Sequence, residues 1–178
     1  GAMKAGCRPI SGIDCEDACV RLWSANTGGK GHVRTLWDDG IEWPKAHANL
    51  HIHLSPPCNT LSNARKGASA KEVSEGLSAI RQSLDFVLDR GYRSFSIENV
   101  PVPPIEALLQ RYAIENPRSV AYTICDAVDL GAPTTRRRLI AGPPELIRKL
   151  KETPVSRVSV RDAFEKAGMT SLPAQYIK

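Results

Sequence analysis

A chain of 178 residues, 42% hydrophobic and 24% charged, is long enough to bury a core and too evenly mixed for a disordered or fibrous polymer. Its net charge of +5 and pI near 9.1 suit a polyanionic partner without requiring one. No apolar run approaches the length of a bilayer span and no basic-plus-apolar leader opens the chain, so a soluble, intracellular protein with no membrane partner is expected.

Gly1-Ala2 ahead of Met3 read as a cleavage scar, and residues 1–178 are expected to form one domain. Arg8 to Asp14 can form a strand ending on an acid. Asp17 to Ala25 then reads as a short helix stopped by Asn26-Thr27-Gly28-Gly29. The glycine-rich run from Asn26 to Gly31 follows no predicted strand and reads as a loop. His32 to Leu36 is a strand candidate before Asp38-Asp39-Gly40, and Leu50 to Leu54 is a stronger one that runs into Ser55-Pro56-Pro57-Cys58.

Ser69 to Arg90 is the clearest helix, because Val73, Leu77, Ile80, Leu84 and Val87 recur at steps of four and three on one face. Gly91 stands where a left-handed C-cap belongs. Ser94 to Ile97 is the next strand, leading to Glu98-Asn99-Val100-Pro101. Pro103-Pro104 can open a helix carrying Ile105, Leu108, Leu109 and Tyr112. Ser119 to Ile124 and Arg138 to Ala141 are the last strand candidates. Ser159 can cap a final helix, Val160 to Ala167, closed by Gly168. Apolar runs alternating with helical periodicities are the pattern of an α/β sheet.

Five cysteines, Cys7, Cys15, Cys19, Cys58 and Cys125, make an odd set without pairing logic, which argues against a disulfide framework. Cys15 and Cys19 are spaced like metal ligands on a helix, but no second pair completes a familiar set, so no metal is expected. Cys7, Cys15, Cys19 and Cys125 read as small buried hydrophobes. The Pro-Pro context and polar sequel mark Cys58 as a loop thiol. The clusters Arg136-Arg137-Arg138 and Arg148-Lys149-Leu150-Lys151 read, from charge alone, as solvated faces.

Three segments fall at the carboxyl ends of predicted parallel strands, where open α/β sheets carry their sites. They are Ser55-Pro56-Pro57-Cys58, Ile97-Glu98-Asn99-Val100, and the run from Gly131 to Arg138. In order and spacing they resemble the Pro-Cys, Glu-Asn-Val and Gln-x-Arg-x-Arg motifs of cytosine-C5 DNA methyltransferases, over roughly Ile10 to Gly142. The resemblance implies a Rossmann-like, mostly parallel α/β sheet with helices on both faces, lacking its first strand. It also implies S-adenosylmethionine as cofactor, S-adenosylhomocysteine as product and DNA as partner, with RNA left open because tRNA cytosine methyltransferases use the same motifs.

The chemistry needs these residue types. Cytosine C5 is a poor nucleophile, so a thiolate adds to C6 and creates an enamine that attacks the methyl donor; by the resemblance that thiolate is Cys58. Glu98 would bind the N3/N4 edge of the base and protonate N3. Asn99 would hold the neighbouring loop, and Arg136 and Arg138 would position the nucleotide and its backbone. Pro56 and Pro57 would stiffen the loop, and residues Asn59 to Lys71, with Ser62 and with Arg65 and Lys66 near phosphate, would form a mobile catalytic loop. A duplex substrate implies base flipping.

For the cofactor, Asp14 resembles the acid that binds the ribose hydroxyls, and Asp38 or Asp39 the acid that contacts the adenine amino group. The Pro56-Pro57 backbone would line the same pocket. The family's glycine-rich first turn has no clear counterpart. Ser11-Gly12-Ile13-Asp14 is its only stand-in, a second-ranked reading in which Asp38 or Asp39 serves the ribose. Thr134 stands where the family prefers Gln, and no target-recognition domain is seen. A complementing subunit is therefore one implication, and a catalytically silent homologue acting as a binding or regulatory module is the alternative. Restriction–modification, viral and epigenetic roles would look alike here.

Overall fold

The computed structural model describes Met3, residues 6–35 and 42–57, Leu61, residues 69–166 and Gly168. The chain divides into two compact units, Gly1–Pro44 and Lys45–Lys178. The first is a βαβ unit. Strand β1 (Ser11–Asp14) is followed by helix α1 (Asp17–Thr27) and strand β2 (Lys30–Val33), which pairs parallel to β1 with Ser11 opposite Lys30 and Asp14 opposite Val33.

Two expectations fail in this unit. The second strand begins at Lys30 rather than His32, so the glycine-rich run enters a strand instead of forming only a loop. Ser11-Gly12-Ile13-Asp14 is strand and not a cofactor turn. Gly12 is small for packing reasons: a Cβ there would stand 2.8 Å from the Trp23 ring. The readings of Cys7, Cys15 and Cys19 as buried are also corrected. All three thiols are exposed, because one helix on two strands buries little beyond Val20. Among the described residues no cluster of three His, Cys, Asp or Glu could hold a metal ion.

The second unit is built on a four-stranded sheet in the order β3-β4-β6-β5. Its elements run β3 (Ile52–Leu54), α2 (Ala70–Asp89), β4 (Phe95–Asn99), α3 (Pro103–Glu115), β5 (Ala121–Asp126), β6 (Arg137–Gly142), α4 (Pro144–Glu152) and α5 (Val160–Lys166). β3 and β4 are parallel, whereas β6 runs antiparallel to both β4 and β5. The sheet is therefore mixed, and the α/β architecture stands.

Local chemistry explains the elements. Ser69 caps α2 in a reciprocal capping box with Glu72, satisfying two end donors at once. Gly91, at φ 66°, takes the left-handed turn that ends it. Pro103 and Pro104 sit at the first positions of α3, where a missing N–H costs nothing. Ser159 Oγ accepts from Asp162 N at 3.1 Å at the start of α5.

The largest core side chains lie on the face of the sheet that α2 and α3 cover. Ile80, Leu84 and Val87 of α2 and Ile105 of α3 are fully buried, with Phe95 and Ile97 of β4 and Leu139 and Ala141 of β6. Each of the larger side chains among them contributes about 1.5–3 kcal/mol by leaving water. Residues alternate between faces along a strand. The other face of β3 and β4 thus carries His51, His53, Ser96 and Glu98, which are exposed or half-buried. Among the described residues, no helix is long and apolar enough to cross a membrane.

Candidate active site

The mixed sheet decides where the motif residues meet. The run from Gly131 to Arg138 does not end a parallel strand; it connects β5 to the antiparallel β6. Because β6 runs backwards, its first residues lie at the same sheet edge as the last residues of β3 and β4. Asn99 pairs with Leu139 and Glu98 with Ile140, one and two residues beyond Arg138.

At this edge the Glu98 carboxylate is held from two sides. Ser55 Oγ donates to Oε2 at 2.8 Å, and Arg138 Nε forms an ion pair with Oε1. Both side chains of that pair are 23% exposed, so a solute can reach them. Arg138 also donates from Nη1 to the Arg137 carbonyl at 2.8 Å, which fixes its guanidinium plane. Asn99 is buried and bonded at both ends of its amide: Nδ2 donates to the Pro56 carbonyl at 3.1 Å, and Oδ1 accepts from Val100 N at 2.9 Å. Successive residues at the end of β4 thus hold successive residues after β3.

Arg136 stands at the same edge with an exposed side chain, and its backbone N donates to Asp126 Oδ1 at 2.8 Å. That bond, with Asp126 accepting from Val128 N at 3.3 Å, folds the β5–β6 connection back on itself. Pro56 is half-buried and Pro57 exposed. Cys58, Asn59 and Ser62 lie outside the described residues, as do Asp38 and Asp39; most of the expected catalytic loop does too. The loop expectation is trimmed at its far end, since Ala70 and Lys71 already belong to α2. Asp14 ends β1 in the first unit, exposed, with Oδ1 accepting from Glu16 N at 2.9 Å.

Two groups escaped the sequence reading. Ser55 was visible only as the start of the Pro-Pro-Cys run, although period-two alternation puts it on the face of His51 and His53. Asp126 carried no motif. On that same face, burial, followed by the neighbouring His53, lowers the His51 ring from its ordinary pKa. Cys125 opposes Arg138 across β5 and β6. It is half-buried rather than fully buried, and burial pushes its thiol pKa up, with Asp126 adding to the shift.

No family model and no curated protein matches the sequence. Among solved structures, the chain is similar to a prophage-encoded protein of E. coli described as a DNA modification methyltransferase. The match has a TM-score of 0.59 at 17% identity, and covers 97% of this chain and 51% of that one. A methyltransferase of Entamoeba histolytica, EhMeth, aligns with a TM-score of 0.44 at 19% identity over 75% of this chain and 43% of its own. The chain thus spans about half the length of the E. coli protein and shares its α/β fold.

Proposed function

We propose that this chain is the core of a DNA (cytosine-5-)-methyltransferase that methylates C5 of a flipped cytosine through a covalent adduct with Cys58. The observation that carries the reading is the Ser55–Glu98–Arg138 cluster at the sheet edge, one residue from the Asn99–Pro56 hydrogen bond that holds the approach to Cys58. An accessible carboxyl group beside a fixed guanidinium can accept from the N4 amino group and, once protonated, donate to N3, while the arginine faces nearby phosphate. In the proposed step the Cys58 thiolate bonds to C6 as the C5–C6 double bond opens and N3 takes a proton from the protonated form of Glu98; once C5 carries the methyl group, loss of its proton restores the double bond and expels the thiolate. Arg136 and Arg138 hold the nucleotide. The fold of the E. coli neighbour supports the same reading at the level of architecture.

S-adenosylmethionine, when bound, supplies the electrophilic methyl group. Asp14, an exposed acid at the end of a parallel strand, suits the ribose diol, and Asp38 or Asp39 is proposed for the adenine amine; the Pro56 backbone is a further proposed cofactor contact. Gly12 does not serve as a glycine cradle, because Trp23 fills the space beside it. A complementing subunit that supplies the methionine end of the cofactor site belongs to the proposal.

The test is a covalent trap. Duplex DNA containing 5-fluorocytosine is incubated with S-adenosylmethionine and the chain, alone and with candidate complementing subunits, beside an RNA arm. An adduct that survives denaturation and disappears in Cys58→Ser supports the reading, and the arm that forms it identifies the nucleic acid. No adduct in any arm, with no heat of S-adenosylhomocysteine binding, would sink it in favour of a catalytically silent homologue.

A further inference from the structure

A second cluster of functional side chains lies on the open face of β3 and β4, apart from the groups of the proposed reaction. His51 and His53 are two residues apart on extended backbone, so both project to one side. Both are exposed. Their rings converge: His51 Nε2 and His53 Nδ1 each lie 2.8 Å from the same Ser96 Oγ. The remaining His51 nitrogen, Nδ1, is 2.8 Å from Ser94 Oγ.

We propose that His51 and His53 form a two-histidine chelate for a borderline divalent transition-metal ion of the Cu2+, Ni2+ or Zn2+ class. Imidazole nitrogens are the ligands these ions share. The position now held by the Ser96 hydroxyl is the one an ion would take between the rings. Small rotations about the histidine side-chain bonds bring the nitrogens to metal–nitrogen distances of about 2.0–2.1 Å, with the Ser96 hydroxyl turning aside. Ser94 then acts as an outer-shell partner, fixing the His51 tautomer so that Nε2 keeps its lone pair for the metal. No set of three His, Cys, Asp or Glu ligands exists among the described residues. Water completes the coordination, and the site is labile rather than structural. Ser55, which donates to Glu98, follows two residues after His53, about 7 Å along the same face. The ion would sit one pleat from the Glu98 carboxylate, whether or not Glu98 is catalytic.

The full 178-residue chain, 15N-labelled and with its thiols alkylated, is titrated with NiCl2 at neutral pH while paramagnetic broadening is read residue by residue. The signals of His51, His53, Ser94 and Ser96 should vanish at or below one equivalent, before those around His32 and His47. His51→Gln and His53→Gln should each weaken the apparent affinity about tenfold or more, whereas His47→Gln should leave it unchanged. Both histidines are exposed, so these variants should fold, which their spectra without metal will show. Broadening centred elsewhere, or an affinity indifferent to both substitutions, overturns the proposal.

Discussion

The Asn99 side chain donates to the Pro56 carbonyl at 3.1 Å, joining the end of β4 to the segment that follows β3, 43 residues earlier in the chain. Its Oδ1 is occupied by Val100 N, and the residue is buried. Asn99→Ala removes the partner of both groups in a part-buried site. It should cost about 1–3 kcal/mol in urea denaturation. If Asn99 also sets the approach to Cys58, the trapped adduct should form more slowly even under conditions where the variant is folded. Unchanged stability would show that the loop holds itself.

Glu98 and Arg138 should separate stability from activity. Their ion pair is partly solvated, so Glu98→Gln should shift the unfolding free energy by no more than about 1 kcal/mol. Loss of the proton donor should slow adduct formation by about 100-fold or more. Arg138→Lys keeps the charge but not the planar fork, and an intermediate loss is expected. Full adduct formation by Glu98→Gln would remove Glu98 from the proposed mechanism.

Tyr112 offers a pH signature. Its hydroxyl donates to Asp85 Oδ1 at 2.6 Å, joining α3 to α2. Burial, then the bond and charge of Asp85, push the phenol well above its ordinary value, with Arg81 and Arg111 opposing. A raised folded-state pKa means that this contribution is whole below the unfolded value of about 10 and declines as pH rises beyond it. Tyr112→Phe should cost about 0.5–1.5 kcal/mol at neutral pH. Urea midpoints of the wild type should then fall faster than those of the variant above about pH 10. Parallel pH curves for the two proteins would contradict this account.

Leu84 is fully buried on the core face of α2. Leu84→Ala should cost about 2–5 kcal/mol, the larger figure applying if the α2–α3 layer cannot close on the space. Thermal or urea unfolding followed by circular dichroism will measure it. A cost below about 1 kcal/mol would mean that α2 packs loosely.

The thiols should alkylate in an order set by exposure. Cys7, Cys15 and Cys19 are exposed, while Cys125 is half-buried with a raised pKa, so brief iodoacetamide treatment at neutral pH should label the first three ahead of Cys125. Peptide mass mapping gives the order directly. Early labelling of Cys125 would contradict its half-buried place in β5 beside β6.

What the sequence determined by itself was local. The apolar spacing of Ile80, Leu84 and Val87, the capping serines, and the prolines opening α3 describe elements whose hydrogen bonds close within a few residues. The order of the Pro-Cys, Glu-Asn-Val and Arg-rich segments was legible for the same reason, being written along the chain. Strand direction was not. An isolated apolar run does not state whether its neighbour is parallel, and the antiparallel entry of β6 between β4 and β5 is a matter of distant pairing. The same pairing brings Arg138 to Glu98, 40 residues before it, and the parallel register of β3 with β4 brings Ser55 there as well. Exposure of Cys7, Cys15 and Cys19 was likewise decided only by how little a two-stranded unit can cover. Residue chemistry was readable one position at a time, whereas hydrogen bonds across 43 residues exist only once the sheet has formed.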